Sequence, residues 1–292
     1  MNESTTQGDG RMDLAVFTDL DGSLLDHHTY SFADARPALE RIREHRIPLV
    51  FVTSKTRSEV EMLQGTLGIR EPFIVENGAA IFFPDRYRGW RIDAGVRQPP
   101  YTVIQLGAAY PEIRRFFQRV KPGFNLQGFG DLSDQDIERL TGLPPQQAAF
   151  AKQRGFTEPF LMEDDAGMIE LQRVAETGGF KITRGGRFHH LMGSGQDKGI
   201  ALGRAISLFL RNTHQRLLTI GLGDGANDVS MLESVDFPIL IPHPDGSYEK
   251  LDVPNMIRAR HPGSCGWSET ILDVLKTKDD LLATWKIEAQ GA

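Results

Sequence analysis

The feature that most constrains the fold of this chain is an apolar segment that is followed directly by acidic residues. Residues 14–18 read LAVFT, a run hydrophobic enough for a strand buried on both faces of a sheet, and Asp19, Asp21 and Gly22 follow it. In isolation an Asp-x-Asp-Gly sequence is most often a turn, because Asp and Gly are favoured there. In a parallel sheet, however, ligands bind outside the carboxyl ends of the strands, and this segment delivers two carboxylates to such an end.

Further apolar runs alternate with amphipathic segments, which is the pattern of a parallel sheet covered by helices. The other predicted core strands are residues 47–53, 73–77, 217–223 and 237–242, and the predicted core helices are residues 31–46, 57–67, 198–212, 228–235 and 269–278. We therefore predict an α/β protein with a Rossmann-like parallel-sheet core, formed by residues 12–84 and 193–292, behind a flexible N-terminal tail of residues 1–11.

Residues 85–192 differ in composition from the segments on either side. Glycine and proline become more frequent, as in RQPPY at 97–101 and TGLPPQQ at 141–147. The strand candidates change to half-buried alternating ones, at residues 102–106, 168–174, 180–185 and 187–192, and helices are predicted at 111–120 and 133–140. This region is predicted to be a mixed α/β cap domain inserted between the third and fourth core strands.

Charge and cysteine content exclude several classes of function. The net charge of −6 over 292 residues and the pI near 5.8 give no general attraction for nucleic acid or an anionic membrane. Cys265 is the single cysteine and cannot form an internal disulfide. No apolar run is long enough to span a membrane, and residues 1–11 are too polar for a signal peptide. We expect a cytoplasmic monomer or homodimer that binds a small molecule.

Other predicted strand ends and helix starts carry polar side chains as well. These are two hydroxyls, one ammonium and two more carboxylates, namely Thr53, Ser54, Lys198, Asp224 and Asp228. Carboxylates that are packed together repel one another unless a cation neutralises them, and Mg²⁺ prefers oxygen ligands. We expect the carboxylates of Asp19 and Asp224 and the backbone carbonyl of Asp21 to bind Mg²⁺, with Asp228 acting directly or through a water molecule.

The ammonium of Lys198, together with the expected Mg²⁺, predicts a phosphate ligand at this sheet edge. A phosphate group that enters a carboxylate-rich pocket needs more positive charge than one Mg²⁺ supplies, and Lys198 offers it. Thr53 can donate a hydrogen bond to a phosphoryl oxygen.

Two other classes of protein fit parts of this pattern. The run GLGDGA at 221–226 matches the dinucleotide-binding fingerprint, but Asp224 would then point a carboxylate at the pyrophosphate. A signalling receiver domain also phosphorylates an Asp beside Mg²⁺, Thr and Lys. Receiver domains are usually shorter, however, and the large insert favours an enclosed small-molecule site.

Four motifs in this order resemble the haloacid dehalogenase superfamily of phosphohydrolases. They are DLDGS at 19–23, VTSKT at 52–56, DKG at 197–199 and GDGANDVSML at 223–232, and VENGA at 75–79 resembles the subgroup with a large α/β cap. The resemblance implies that Asp19 is the nucleophile that forms an aspartyl phosphate. It implies that Asp21 is the general acid and base, and that the phosphate-binding hydroxyl is Thr53 or Ser54, of which we favour Thr53 because it ends the predicted strand.

Three further segments resemble the mannosyl-3-phosphoglycerate phosphatase family within that subgroup. They are SKTRSEV at 54–60, AKQRGFTEPF at 151–160 and TRGGRFHHLMG at 183–193. The resemblance implies Mg²⁺-dependent hydrolysis of mannosyl- or glucosyl-3-phosphoglycerate to the glycosylglycerate and phosphate. A phosphatase of other sugar phosphates and a sugar phosphomutase remain alternatives on the same core.

The resemblance also indicates residues for the rest of the substrate. Guanidinium groups suit the glycerate carboxylate, glycines allow backbone N–H groups to approach an anion, and amides and carboxylates suit sugar hydroxyls. The predicted substrate-binding residues are Ser54, Lys55, Asn77, Gln153, Arg154, Glu158, Arg184, Gly185, Gly186, Arg187 and Asn227. His189 and His190 are predicted to have structural roles in the cap.

Overall fold

The structure is a computed structural model that describes residues 13–162, 167–185, 187–213 and 216–290. Its strands are β1 (Asp13–Thr18), β2 (Leu49–Val52), β3 (Phe73–Val75), β4 (Ala80–Pro84), β5 (Val96–Gln98), β6 (Tyr101–Gln105), β7 (Leu126–Gly128), β8 (Thr157–Met162), β9 (Phe180–Gly185), β10 (Phe188–Gly193), β11 (Leu217–Gly223), β12 (Phe237–Leu240) and β13 (Ile257–Arg258). Its α-helices are α1 (Arg36–Glu44), α2 (Arg57–Leu67), α3 (Tyr110–Phe124), α4 (Asp134–Thr141), α5 (Pro145–Lys152), α6 (Met168–Thr177), α7 (Lys198–Thr213), α8 (Val229–Leu232) and α9 (Gly263–Gln290). The predicted N-terminal tail lies outside the described residues.

The strands form two sheets of different character. The larger sheet has nine strands in the order β13-β12-β11-β1-β2-β3-β4-β6-β5. Pairing is parallel from β13 to β3 and antiparallel from β3 to β5. The smaller sheet is antiparallel, in the order β7-β8-β10-β9. The predicted Rossmann-like core with an inserted mixed α/β region is confirmed.

β1 lies at the centre of the parallel region because its side chains are apolar on both faces. Val16 packs with residues of α1 and α9 on one side of the sheet. Phe17 packs with residues of α7 and α8 on the other side. Since β1 pairs with both β11 and β2, the carboxyl ends of these three strands meet at one edge of the sheet.

One predicted strand of the insert is a helix. Residues 168–174 were expected to alternate in a strand, but they lie in α6. Leu171 and Ala175, four residues apart, are buried, whereas Ile169 is 80% exposed. The helical period becomes visible only when the pattern is extended to Ala175, because a seven-residue window fits either period.

The core sheet extends further into the insert than the sequence indicated. Residues 85–192 were assigned to the cap, yet β6 lies in this range and pairs with β4 of the nine-stranded sheet, and β5 pairs with β6 at its edge. We therefore propose that the cap begins after Gln105. The four-stranded sheet packs against α3 and α6, and α4 and α5 form a smaller apolar cluster beside it. Within the described ranges, no helix has the length and apolarity needed to cross a membrane.

Candidate active site

The end of β1 is held in place by the residues around it. The Asp19 amide N–H donates to the Leu222 carbonyl of β11 at 2.8 Å. The Thr18 hydroxyl donates to the Asp19 carbonyl at 2.7 Å. The indole N–H of Trp267 in α9 donates to the Thr18 hydroxyl oxygen at 2.9 Å. The Asp19 backbone is therefore fixed from both sides of the sheet edge.

Gly22 allows the turn after β1 to meet the loop after β11. Its φ is +78°, a left-handed conformation that favours glycine. A Cβ at this position would lie 2.2 Å from Asp224 Oδ2. Any other residue at this position would therefore be strained and would displace the Asp224 carboxylate.

Three carboxylates and one ammonium converge at this edge. Asp19, Asp224 and Asp228 each offer a carboxylate oxygen, and these oxygens lie within 4.8 Å of one another. Lys198 Nζ lies 2.7 Å from Asp19 Oδ1 and 2.6 Å from Asp228 Oδ1. Asp19, Asp228 and Lys198 are buried, and Asp224 is half-buried. We call these four residues the β1-edge cluster.

Local hydrogen bonds place the last two members of the cluster. Asp197 Oδ1 accepts from the backbone N–H groups of Gly199 at 2.8 Å and Ile200 at 3.2 Å, which caps α7 with Lys198 at its start. Asp228 Oδ2 accepts from the backbone N–H groups of Asp224 and Gly225, both at 3.1 Å. Asp228 therefore shapes its own loop with one oxygen and holds Lys198 with the other.

Burial and mutual repulsion perturb the titration of these groups. Burial raises the pKa of Asp19 to about 7, although Lys198 opposes the shift, and Asp228 raises it further. Burial, followed by the charges of Asp19 and Asp228, raises the pKa of Asp224 well above its usual range. Burial alone would lower the pKa of Lys198, but the two carboxylates it contacts raise that pKa above its ordinary value.

The β1-edge cluster fits a hard divalent cation. Three carboxylates face one ammonium, and the Asp224 carboxylate accepts no hydrogen bond from any residue the structure describes. Buried carboxylates without donors are costly unless they are protonated or bound to a cation. The donor atoms are all oxygens, which Mg²⁺ prefers. Asp19 and Asp224 are the residues best placed to hold such an ion.

The second acid of the turn has a different environment. Asp21 Oδ2 lies 2.9 Å from Lys55 Nζ, which is also 3.6 Å from Glu59 Oε1. Asp21 Oδ1 is buried and has no hydrogen-bond partner in the described part of the chain. Lys55 was predicted to bind substrate, but its ammonium lies between two carboxylates and holds Asp21. Burial would lower the pKa of Lys55, and these two carboxylates raise it above its ordinary value.

Thr53, Asn77 and Asn227 also lie near the strand ends. Thr53 follows β2 directly and is fully buried, whereas Ser54 is half-buried. The Thr53 hydroxyl accepts a backbone N–H at 3.1 Å and donates to none of the described residues. Asn227 Nδ2 donates to Asn77 Oδ1 at 3.2 Å, while the buried Asn77 Nδ2 has no partner within the described ranges. The Thr53 hydroxyl and the Asn77 amide are therefore donors available to a ligand.

Arg154 and Gln153 join the insert to the core. Arg154 donates to the Ser54 carbonyl at 2.8 Å and to the Ala151 carbonyl at 2.7 Å. Gln153 Oε1 accepts from the Ser58 hydroxyl of α2 at 2.7 Å. Arg154 was predicted to bind the glycerate carboxylate, and Gln153 the sugar. In this structure the hydrogen bonds of both side chains hold the cap against the core.

Arg187 is an exposed residue of the insert that reaches the core. Its guanidinium donates to the Thr141 carbonyl at 2.9 Å and is hydrogen-bonded to the Tyr30 hydroxyl. The ring of Tyr30 in turn lies under the ammonium of Lys55, 5.2 Å from the ring centroid. A short chain of contacts therefore connects Arg187 to the residue that holds Asp21.

The hairpin of β9 and β10 contains the remaining predicted cap residues. Arg184 is exposed and lies opposite His189 in the pairing of the two strands. A Cβ at Gly185 would lie 3.3 Å from His190 Nε2, so the backbone there runs close to that imidazole. Gly186 lies outside the described residues.

The prediction that Glu158 binds the sugar is wrong in this structure. Its side chain is fully buried in the cap. Glu158 Oε2 accepts from the Tyr110 hydroxyl at 2.6 Å, and Oε1 accepts from Arg114 at 3.0 Å and from the Gly130 N–H at 2.9 Å. Both oxygens are satisfied by the protein, so Glu158 is a structural residue of the cap.

Comparison with known proteins identifies the family. A family profile described as haloacid dehalogenase-like hydrolase matches residues 16–94. The glucosyl-3-phosphoglycerate/mannosyl-3-phosphoglycerate phosphatase of Persephonella marina is 53% identical over 262 residues, which are 90% of this chain and 97% of that protein. A protein of the same name from Methanococcoides burtonii is 41% identical over 273 residues, 91% of this chain and 98% of that protein. The chain belongs to the haloacid dehalogenase-like hydrolases.

The fold comparison agrees with this membership. The sucrose-phosphatase from Synechocystis sp. PCC6803 superposes with a TM-score of 0.59 at 16% sequence identity, over 90% of this chain and 98% of that chain. At this identity the similarity is one of fold. The predicted resemblance is thus confirmed, and this haloacid dehalogenase-like hydrolase is a phosphoric monoester hydrolase.

Sequence reasoning missed Glu76 in this hydrolase. Glu76 follows β3 and is buried, and its carboxylate accepts from the N–H groups of Gly155 at 2.8 Å and Phe156 at 3.1 Å and from the Thr157 hydroxyl at 2.7 Å. A core carboxylate therefore holds the start of cap strand β8. The signal available in the sequence was a glutamate directly after a buried strand, in VENGA.

His190 in β10 is a second residue whose environment the sequence did not indicate. It is buried, and its Nδ1 has no hydrogen-bond partner among the residues that the structure describes. Burial, followed by the charge of Arg154, lowers the pKa of His190 to about 3. The imidazole is therefore neutral, and the described residues leave its Nδ1 unpaired.

Proposed function

We propose that this chain is a Mg²⁺-dependent phosphatase that hydrolyses glucosyl-3-phosphoglycerate and mannosyl-3-phosphoglycerate through an aspartyl phosphate. The observation that carries the chemistry is the β1-edge cluster, in which carboxylates outnumber the single ammonium around Asp19. The observation that supports the substrate is the activity for which the Persephonella marina relative is named, since that protein is 53% identical and 97% of it is covered.

Asp19, Asp224 and the backbone carbonyl of Asp21 would hold Mg²⁺. When bound, the ion neutralises charge on the carboxylates and on the phosphoryl oxygens. Asp228 orients the loop and Lys198, as its hydrogen bonds indicate. This assignment keeps the Asp21 side chain off the ion, so its Oδ1, unpaired among the described residues, is the oxygen that would carry a proton.

The first step transfers the phosphoryl group to Asp19. An Asp19 carboxylate oxygen forms a bond to phosphorus while the bond between phosphorus and the glycerate oxygen breaks. Asp21 donates a proton to that departing oxygen, so the product leaves as an alcohol. Lys55 holds Asp21 Oδ2, which leaves Oδ1 as the oxygen without a protein partner in the described residues.

The second step hydrolyses the aspartyl phosphate. Asp21, now a carboxylate, takes a proton from water as the water oxygen bonds to phosphorus and the bond to Asp19 breaks. Inorganic phosphate leaves and Asp19 is restored. In both steps Lys198 and the Thr53 hydroxyl stabilise charge on the phosphoryl oxygens. Asn77 and Asn227 are proposed to bind the same group, and Arg187 the glycerate carboxylate.

Phosphate release across a panel of esters tests this proposal. With Mg²⁺ present, we expect glucosyl- and mannosyl-3-phosphoglycerate to be hydrolysed with a higher kcat/KM than hexose phosphates or 3-phosphoglycerate. A preference for hexose phosphates would refute the proposed substrate but would not contradict the aspartyl-phosphate mechanism. An isomeric phosphate ester in place of free phosphate would show a phosphomutase. Acid-quenched turnover followed by peptide mass spectrometry should find the phosphoryl group on Asp19.

A further inference from the structure

A second group of metal-ligating side chains lies outside the active site. His261, Cys265 and Glu269 each offer a nitrogen, sulfur or oxygen, and these atoms lie within 4.8 Å of one another. His261 Nδ1 is 2.7 Å from Glu269 Oε2, and Cys265 Sγ is 4.0 Å from Glu269 Oε1. His261 and Glu269 are exposed and Cys265 is half-buried, so an ion can reach all three. We call this group the α9 triad.

The backbone pre-organises the α9 triad. Cys265 and Glu269 are four residues apart in α9 and therefore share one face of the helix. His261 lies in the loop before the helix, and a Cβ at Gly266 would lie 1.7 Å from the His261 carbonyl oxygen. The absence of a side chain at Gly266 lets the loop lie directly on the first turns of α9. The three ligands are therefore brought together without the ion.

We propose that the α9 triad binds a borderline-soft divalent cation of the Zn²⁺ type. Thiolate, imidazole and carboxylate are the ligands that Zn²⁺ uses, at bond lengths of about 2.0–2.3 Å. In a tetrahedral site, such bonds place neighbouring ligand atoms roughly 3.3–3.8 Å apart. The separations of 2.7 and 4.0 Å differ from that range by less than about 1 Å. Three protein ligands leave one position for water.

Ligand chemistry distinguishes the α9 triad from the β1-edge cluster. The β1-edge cluster presents only carboxylate oxygens to a cation, as a hard ion requires. The α9 triad adds a thiol and an imidazole, which softer ions prefer. On binding, the Cys265 thiol loses its proton to solvent and forms a metal–sulfur bond. The thiolate and the Glu269 carboxylate then match the double positive charge of the ion.

The bound ion would connect the His261 loop to α9. The same turns of α9 carry Trp267, whose indole N–H donates to Thr18 beside Asp19. The α9 triad is thus placed to stabilise the helix that supports the end of β1. We expect Zn²⁺ to raise the melting temperature of the protein even when the β1-edge cluster is filled with Mg²⁺.

Cobalt spectroscopy tests the site, because Co²⁺ bound to a thiolate gives a sulfur-to-metal charge-transfer band. Cys265 is the single cysteine of the chain, so any such band reports on it alone. The full-length protein, saturated with Mg²⁺, is titrated with Co²⁺. We expect one equivalent to produce the band and Zn²⁺ to displace it.

Two variants and a matched control complete the experiment. Cys265→Ser should abolish the band, and His261→Ala should weaken Co²⁺ binding by about 10- to 100-fold. His243→Ala is the control, because His243 Nε2 lies 3.8 Å from Glu249 in a surface pair that lacks a thiol. It should bind Co²⁺ like the wild type. Absence of the band, or a band and affinity that survive both triad variants, would overturn the proposal. Phosphate release by Cys265→Ser should be unchanged in Mg²⁺. Failure of the metal-site proposal can therefore be distinguished from failure of the proposed function.

Discussion

The carboxylates at the end of β1 and those inside the cap differ in how their charge is neutralised. At the β1 edge, Asp19, Asp224 and Asp228 face a single ammonium, and Asp224 accepts no hydrogen bond from the described residues. Burial and repulsion raise the pKa of Asp19 to about 7. This cluster therefore needs a further cation in order to stay ionised.

The cap cluster is complete by itself. Arg114 lies 3.0 Å from Glu158 and 2.6 Å from Asp131, and Lys121 lies 2.8 Å from Asp131. Two carboxylates thus face two cations. Burial acts to raise the pKa of Asp131, but hydrogen bonds from Arg114 and Lys121 outweigh it and lower the pKa to about 2. Nothing in this cluster calls for a ligand.

The difference separates a ligand site from a structural ion pair. Clusters of buried charge occur in both places, and their residue types alone do not distinguish them. What distinguishes them is whether protein donors satisfy every carboxylate oxygen. The following predictions test that distinction, and those at carboxylates use substitutions that preserve side-chain size.

The largest effect is expected at Asp19. Asp19→Asn removes the nucleophile while leaving the fold, so phosphate release should fall by at least about 10⁴-fold. The rate is measured with saturating Mg²⁺ and either glycosyl phosphoglycerate. Asp273→Asn, at an exposed carboxyl in α9, is the control and should leave the rate unchanged. Substantial turnover by Asp19→Asn would exclude Asp19 as the nucleophile.

Asp224→Asn should separate activity from stability. Loss of a Mg²⁺ ligand should reduce kcat/KM by about 10²-fold or more at limiting Mg²⁺. In the metal-free protein, removing one of three repelling carboxylates should raise the free energy of unfolding by about 1 kcal/mol. Calorimetry with EDTA measures the second effect. A metal-free protein that is destabilised would show that Asp224 is satisfied by the protein, like Glu158.

Glu158→Gln should show the opposite behaviour. It removes the buried one of the two carboxylates that Arg114 contacts and leaves Asp131 as its partner, so the free energy of unfolding should fall by about 1–3 kcal/mol. At a temperature where the variant is folded, kcat and KM should change by less than about twofold, since the side chain does not face the substrate. Glu170→Gln, in an exposed pair with Arg173, is the control and should leave the free energy of unfolding nearly unchanged. A rise in KM for the sugar phosphoglycerates alone would contradict this and show that Glu158 contacts the substrate.

The smallest effect is expected at Arg187. Arg187→Ala should lower kcat/KM for the sugar phosphoglycerates by about tenfold, the loss of one charged hydrogen bond. Hydrolysis of a small aryl phosphate should change little, because that ester has no glycerate carboxylate. The exposed Arg173→Ala variant serves as the control. If kcat/KM fell equally for both substrates, Arg187 would act by positioning Asp21 through Tyr30 and Lys55. It would then not be a residue that recognises the glycerate carboxylate.

The convergence of Asp19, Asp224 and Asp228 could be predicted from the sequence because the information it needs is local. Each apolar run ends at a polar residue, and strand ends in a parallel sheet share one edge, so Asp19, Thr53 and Asp224 could be placed together without coordinates. Gly22 was expected at a tight turn, and the structure adds its contact with Asp224.

The cap could be predicted less well because the burial and pairing of its residues depend on partners that are distant in the sequence. The residues that satisfy Glu158 lie 28 to 48 residues away in the chain, so its burial could not be inferred from neighbouring residues. The pairing of β6 with β4, and of β5 with β6, is likewise decided by contacts between strands and not by composition. Residues 168–174 fitted two periods, and only the packing of Leu171 and Ala175 selects the helix.

One measurement tests most directly whether the β1-edge cluster is an incomplete site that a divalent cation completes. The protein is stripped of metal with EDTA and dialysed, and phosphate release from glucosyl-3-phosphoglycerate is followed as Mg²⁺ is added back. We predict no turnover above background without metal, full recovery along a saturating curve, and only a small fraction of that recovery in Asp224→Asn at the Mg²⁺ concentration that saturates the wild type. Metal-independent turnover, or wild-type Mg²⁺ dependence in Asp224→Asn, would contradict the account.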